Sequence, residues 1–135
     1  MALVYPLCIP VEGEIEYLIR DPLRVEDDGS IVCAAEIPTG TPVRLMIGST
    51  EQAVEAAQMA ARQALDGLKG ATPKAVVIFN CIARKKLFGR RANEEITAIR
   101  EVIGENVPLI GFYTYGEQAP LGEDIIACEA RFHNE

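Results

Sequence analysis

Two short stretches of the 135-residue chain hold most of the side chains that could do chemistry. The first is GFYTYGEQAP, residues 111–120, where two tyrosines are followed by a glycine and a carboxylate. Side chains alternate faces along an extended strand, so Leu109, Gly111, Tyr113, Tyr115 and Glu117 fall on one side. Ile110, Phe112 and Thr114 fall on the other, which reads as core. Rings with polar tips beside glycine gaps are what small-molecule pockets are lined with, and Glu117 could hold an amine or a hydroxyl there. The alternative is a half-exposed sheet face, with Glu117 opening a turn.

The second stretch is NCIARKKLFGRR, residues 80–91. Asn80 and Cys81 end an apolar run, and ligands gather at the C-terminal ends of parallel strands. Arg84, Lys85, Lys86, Arg90 and Arg91 put five of the 13 basic residues into eight positions. In an acidic chain this is a candidate anion site, with Arg84 the member nearest the strand end and able to grip a carboxylate with two nitrogens. A solvated loop whose cations offset Glu94 and Glu95 is the competing reading.

Other chemistries fit less well. A phosphate-gripping loop would need an arginine six positions after Cys81, where Leu87 stands. A Cys–His pair would have to use His133, the sole histidine, and a buried thiol is commonly inert. The missing CxxC and HxxxH spacings argue against zinc, and no glycine-rich nucleotide loop or GxSxG elbow is present. The expectation is therefore a non-catalytic protein with neither metal nor cofactor.

The elements that must position these residues follow from pattern. One domain over residues 1–135 is expected from the length and the 49% apolar content. The run from Glu14 to Ile37 reads as a hairpin around EDDGS, with Pro22 an edge, bulge or break. VRLMIG reads as a third strand. Ser49 and Gln52 have capping-box spacing before an alanine-rich helical stripe that Gly70 can close. KAVVIFNC, residues 74–81, reads as a central strand buried on both faces. A second helix runs from about Asn93 to Gly104. VPLIGFYTYGE and EDIIACEARFH complete the set. The fold class is α+β: one mixed, mainly antiparallel sheet of about six strands with two main helices packed on it, in the order β-β-β-α-β-α-β-β.

The net charge of −7 disfavours nucleic acid as a partner. No apolar run reaches membrane-spanning length, and the N-terminus lacks the basic start of a secretion signal. Four scattered cysteines, Cys8, Cys33, Cys81 and Cys128, read as reduced thiols in a cytoplasmic protein.

Taken together, NCIAR, FGRRANEEI, PLIGFYTYGEQAP and the closing FHN, with RDPLRVEDDGSI and IPTGTPVRLM upstream, resemble the C-terminal half of the FIST (F-box and intracellular signal transduction) domain. The most specific element is Gly-Phe-Tyr-x-Tyr-Gly-Glu combined with the upstream Cys-x-x-Arg. The resemblance covers nearly the whole chain and implies a sensory input module, largely of bacterial signalling proteins, that binds a small ligand such as an amino acid. It implies a FIST N-terminal half or a signalling output domain as partner, and a homodimer is compatible with it. The chain departs from the pattern in lacking the N-terminal half, in ending at FHNE, and in carrying Ala83 where glycine often stands, so it reads as an excised domain.

The combined expectation is a zwitterion site. Arg84 and the amides near Cys81 would take a carboxylate, Glu117 an ammonium, and Tyr113 and Tyr115 the side chain, with Asn80 and His133 alongside. A docking module that contacts a partner protein is the alternative, and a contiguous exposed apolar patch would favour it. A Cys81-dependent enzyme is the third reading.

Overall fold

The computed structural model describes residues 5–11, 17–121 and 124–128. Its class is α+β, as expected, but among the described residues the single sheet resolves into four small ones, and three α-helices replace two. The chain divides into two compact units. Residues 1–49 with 115–135 form one, here the hairpin unit, and Thr50–Thr114 form the other, the helical unit.

In the hairpin unit, β1 (Leu7–Pro10) lies between β2 (Tyr17–Arg20) and β5 (Arg44–Leu45), antiparallel to both. Cys8, Ile19 and Met46 form the small core of this sheet. β3 (Pro22–Val25) and β4 (Ile31–Cys33) form the expected hairpin around the 26–30 turn. There the Glu26 amide donates to the Ser30 carbonyl, and the Ser30 amide donates to Asp28. The long run preceding this turn is split. Residues 17–20 pair with β1 and residues 22–25 with β4, with a register shift at Pro22. Proline cannot donate to a ladder, so the strand changes sheets there. β8 (Glu117–Leu121) and β9 (Asp124–Cys128) form a further hairpin.

The helical unit starts with α1 (Thr50–Gly67), directly after Ser49, and buries Ala53, Ala57 and Ala61. β6 (Val76–Cys81) leads through α2 (Ile82–Phe88), a 3-10 turn at Gly89–Arg91 and α3 (Ala92–Ile103) to β7 (Leu109–Thr114). β6 and β7 pair in parallel over six residues, from Val76 opposite Leu109 to Cys81 opposite Thr114. Ala57 and Ala61 of α1 meet Ile99 and Ile103 of α3, and Val76, Ile78 and Leu109 pack beneath them. Small side chains on α1 let the two helices lie close together over the sheet, as the alanine stripe requires.

Within the helical unit, α1 and α3 cover one face of β6 and β7. Val77, Phe79, Ile110 and Phe112 are 56–69% exposed. This corrects two sequence expectations: β6 is not buried on both faces, and Ile110 and Phe112 are not core. α1 and α3 pack against the opposite face, the one that carries Val76, Ile78 and Leu109.

Gly111 has its own reason to lack a side chain. A Cβ there would sit 2.5 Å from the Ile78 carbonyl oxygen and 2.9 Å from the Ile78 Cβ. The glycine serves the close approach of β6 and β7.

Candidate functional site

The C-terminal end of the parallel pair gathers Asn80, Cys81, Arg84 and Tyr113, all expected site residues, and adds Glu95. Asn80 and Tyr113 stand opposite one another in register. α2 begins immediately after β6, with the Cys81 sulfur accepting from the Ala83 amide at 3.4 Å as an N-terminal cap. One turn later Arg84 turns inward, four residues before the buried Phe88, with its guanidinium 6.0 Å from that ring.

Arg84 is 8% exposed and Glu95 only 2%. The Arg84 Nε donates to Glu95 Oε1 at 2.5 Å, and Nη2 forms an ion pair with the same oxygen. Nη2 also donates to the Ala53 carbonyl at 2.5 Å. The second carboxylate oxygen of Glu95 accepts from Asn80 Nδ2 at 2.6 Å. One buried network therefore ties α1, α2, α3 and β6 together. A buried charge needs this degree of compensation, since its desolvation costs several kcal/mol (order of magnitude) unless partners replace water.

The expected grip of Arg84 on a ligand carboxylate is taken by a carboxylate of the chain itself. Glu95 was read from sequence only as an offset to the nearby cations. The signal for its burial lies in its spacing: Glu95, Ile99 and Ile103 recur at four-residue intervals, which places the glutamate on the apolar stripe of α3.

Beside this network, along β7, lies a half-open groove of about 400 Å³ lined by Ile78, Asn80, Ile96, Leu109 and residues 110–113. The Tyr113 ring forms part of the wall, and Lys85 Nζ stands 5.0 Å from the ring centre. Burial raises the Tyr113 phenol above its ordinary value, the Glu95 charge adds to this, and Arg84 opposes it. The phenol is thus kept neutral, as a hydrogen-bond donor or acceptor.

The remaining expected residues divide differently. β7 ends at Thr114, and a bend at Tyr115 and Gly116 precedes β8. The face alternation drawn through Tyr113, Tyr115 and Glu117 therefore stops one residue after Tyr113. Tyr115 is 86% exposed. Glu117 is half-buried as the first residue of β8, and both belong to the hairpin unit. Within that unit lies the buried Asp21, whose carboxyl is raised by desolvation first and by the Glu117 charge second. His133 lies outside the described residues.

Cys81 is 6% exposed and spends its sulfur on a helix cap. Burial pushes up the Cys8 thiol, against the opposing influence of Arg44. No group of three or more metal-ligating side chains occurs among the described residues. Nor is any helix among them long and apolar enough to cross a membrane.

The family model of the FIST C domain matches residues 1–120. No curated protein and no solved structure matches the chain.

Proposed function

The chain belongs to the FIST C domain family, a signal-transduction-associated family, and we propose that it acts there as a non-catalytic input module for a small carboxylate-bearing ligand. An amino acid with an apolar side chain is the form that fits the lining best. The observation that carries this reading is the half-open groove along β7. Its volume of about 400 Å³ lies within the roughly 300–1,000 Å³ usual for small-molecule sites.

In this reading the residues of the lining, and Lys85 beside Tyr113, divide the roles. Ile78, Ile96 and Leu109 take the apolar part of the ligand. The Tyr113 hydroxyl and the Asn80 amide oxygen, whose Nδ2 is committed to Glu95, supply polar contacts. Lys85 takes the carboxylate in place of Arg84, because Arg84 is already engaged by Glu95. A hydrogen bond to a charged group contributes roughly 1.5–3 kcal/mol, enough for Lys85 to orient the ligand. Signalling follows if the ligand favours one of two arrangements of the helical unit, by no more than its difference in affinity for them.

A thermal-shift titration with a panel of amino acids and simple carboxylates tests this. Saturation at about 100 times the dissociation constant stabilises by roughly 2.7 kcal/mol, a rise of several degrees for a domain of this size. The rise should disappear in Lys85→Ala and in Tyr113→Ala, with the unliganded proteins still folded. A shift that survives both substitutions places the ligand elsewhere and refutes the assignment.

A further inference from the structure

Each link of the buried network at the end of β6 fixes the polarity of the next. A guanidinium offers only donors and a carboxylate only acceptors. Arg84 gives Nη2 to the Ala53 carbonyl, and both Nε and Nη2 to Glu95 Oε1. That leaves Glu95 Oε2 to meet the Asn80 amide, 2.6 Å from Nδ2. Only the NH2 end of a carboxamide can bond to a carboxylate, so Asn80 is held with Nδ2 toward Glu95 and Oδ1 away from it. The backbone beneath is held too, since the Thr114 hydroxyl donates to the Asn80 carbonyl at 3.2 Å.

The amide oxygen is the end that the network leaves over. Asn80 is 9% exposed and forms part of the groove wall. Its Oδ1 accepts no hydrogen bond among the described residues. A buried acceptor without a donor costs free energy, which a ligand N–H would recover. The neighbouring polar groups are less selective or of opposite polarity. The Tyr113 hydroxyl, opposite Asn80 in register, can donate or accept, and Lys85 beside that ring only donates.

We infer that Glu95 is a positioning residue which, through Asn80, sets the ligand class of the groove. That class is a carboxylate with an N–H donor beside it, as in an α-amino acid, and excludes the 2-oxo acid of the same shape. The inference rests on the reading of the groove as a carboxylate site. An ammonium donates to Oδ1. A ketone oxygen in its place sets acceptor against acceptor and leaves both without a partner. A site built to bond an N–H rejects the analogue lacking it for this reason.

Calorimetric titration of the full protein with L-valine, L-leucine and L-methionine, each against its own 2-oxo acid, tests this. In the wild type, the amino acid of at least one pair should bind about ten- to a hundredfold tighter than its 2-oxo acid. In Glu95→Gln the new amide must keep its oxygen on Arg84, so its NH2 faces Asn80. Asn80 then turns its own oxygen inward and its NH2 to the groove, and the preference should vanish or reverse. Asn80→Leu keeps the Arg84–Glu95 pair and should bind both members of a pair equally. A merely structural role would lower both affinities together and preserve their ratio. A ratio unchanged in either variant, or a wild type that prefers the 2-oxo acid, overturns the inference alone. Binding of neither member to the wild type overturns the reading of the groove, and this inference with it. Nuclear magnetic resonance of the unliganded wild type decides the point if Glu95→Gln does not fold. The Asn80 side-chain amide protons should contact Glu95 and exchange slowly with water, whereas fast exchange would place them in the groove and overturn the inference.

Discussion

The two units place buried charge in opposite ways. In the helical unit, Arg84 and Glu95 neutralise each other and are bonded to Asn80 and the Ala53 carbonyl. In the hairpin unit, buried Asp21 feels the like charge of Glu117. The nearby Arg20 gives its Nε and Nη1 to the carbonyls of Glu36 and Ile19. Composition follows the same division. The helical unit carries nine Lys and Arg against seven Asp and Glu, and the rest of the chain carries four against thirteen. Matched charge joins elements into a rigid frame. Desolvation and a neighbouring like charge at Asp21 give the hairpin unit a stability that depends on pH.

The largest test of this contrast is Glu95→Ala. It strands the Arg84 guanidinium in the core and should cost about 3–5 kcal/mol of helical-unit stability in urea denaturation. Replacing both partners, as Arg84→Met/Glu95→Leu, should recover most of that loss, because no unpaired charge remains. If the single substitution is silent, the network does not hold the unit together.

Next comes Gly111→Ala, whose new Cβ would meet the Ile78 carbonyl 2.5 Å away. A loss of about 1–3 kcal/mol is expected, of the size overpacking produces. Amide exchange should rise along β6 and β7 and remain unchanged in β1–β4. A spread of the effect into β1–β4 would show that the two units unfold as one.

Asp21→Asn should act in the opposite direction. The folded Asp21 carboxyl titrates above its ordinary value, so the ionised group opposes folding at neutral pH, and protonation relieves this as pH falls through that raised value. The substitution should therefore raise the melting temperature at pH 7, with the gain shrinking in acid. A loss at pH 7 would show that the ionised Asp21 is favourably bonded.

The smallest effect is expected from Arg91→Ala. Arg91 contacts Glu94, Glu51 and the Thr50 hydroxyl at the surface. Glu51 and Glu94 titrate below their ordinary values: bonds from the Glu51 amide and the Thr50 hydroxyl lower Glu51 first, and the bond from Arg91 lowers Glu94 first. Their contribution is present above the ordinary carboxylate range and is lost as pH falls through the lowered values. Exposed pairs of this kind give a change near the limit of detection, and added salt should erase it.

Local chemistry made several features legible in the residues alone. The alanine stripe specified a closely packed α1, EDDGS specified the turn between β3 and β4, and Pro22 marked the place where a strand had to leave its sheet. The family could be read from NCIAR and GFYTYGE together. The residues gathered at the end of β6 were also readable, because a cationic run that follows an apolar strand has few places to go.

Tertiary structure decided the rest, because partner choice is non-local. Both arginine clusters look alike in sequence, yet Arg84 is sealed against Glu95 while Arg91 stays at the surface. The difference depends on which side of α2 faces the core, and on a glutamate eleven positions later lying on the same stripe as Ile99. Period-two alternation separated the two sides of β7 correctly but could not say which side the helices would cover. It assigned Ile110 and Phe112 to a core that lies on the other face. Alternation measures only that neighbours differ, and the direction of burial is set by where α1 and α3 pack.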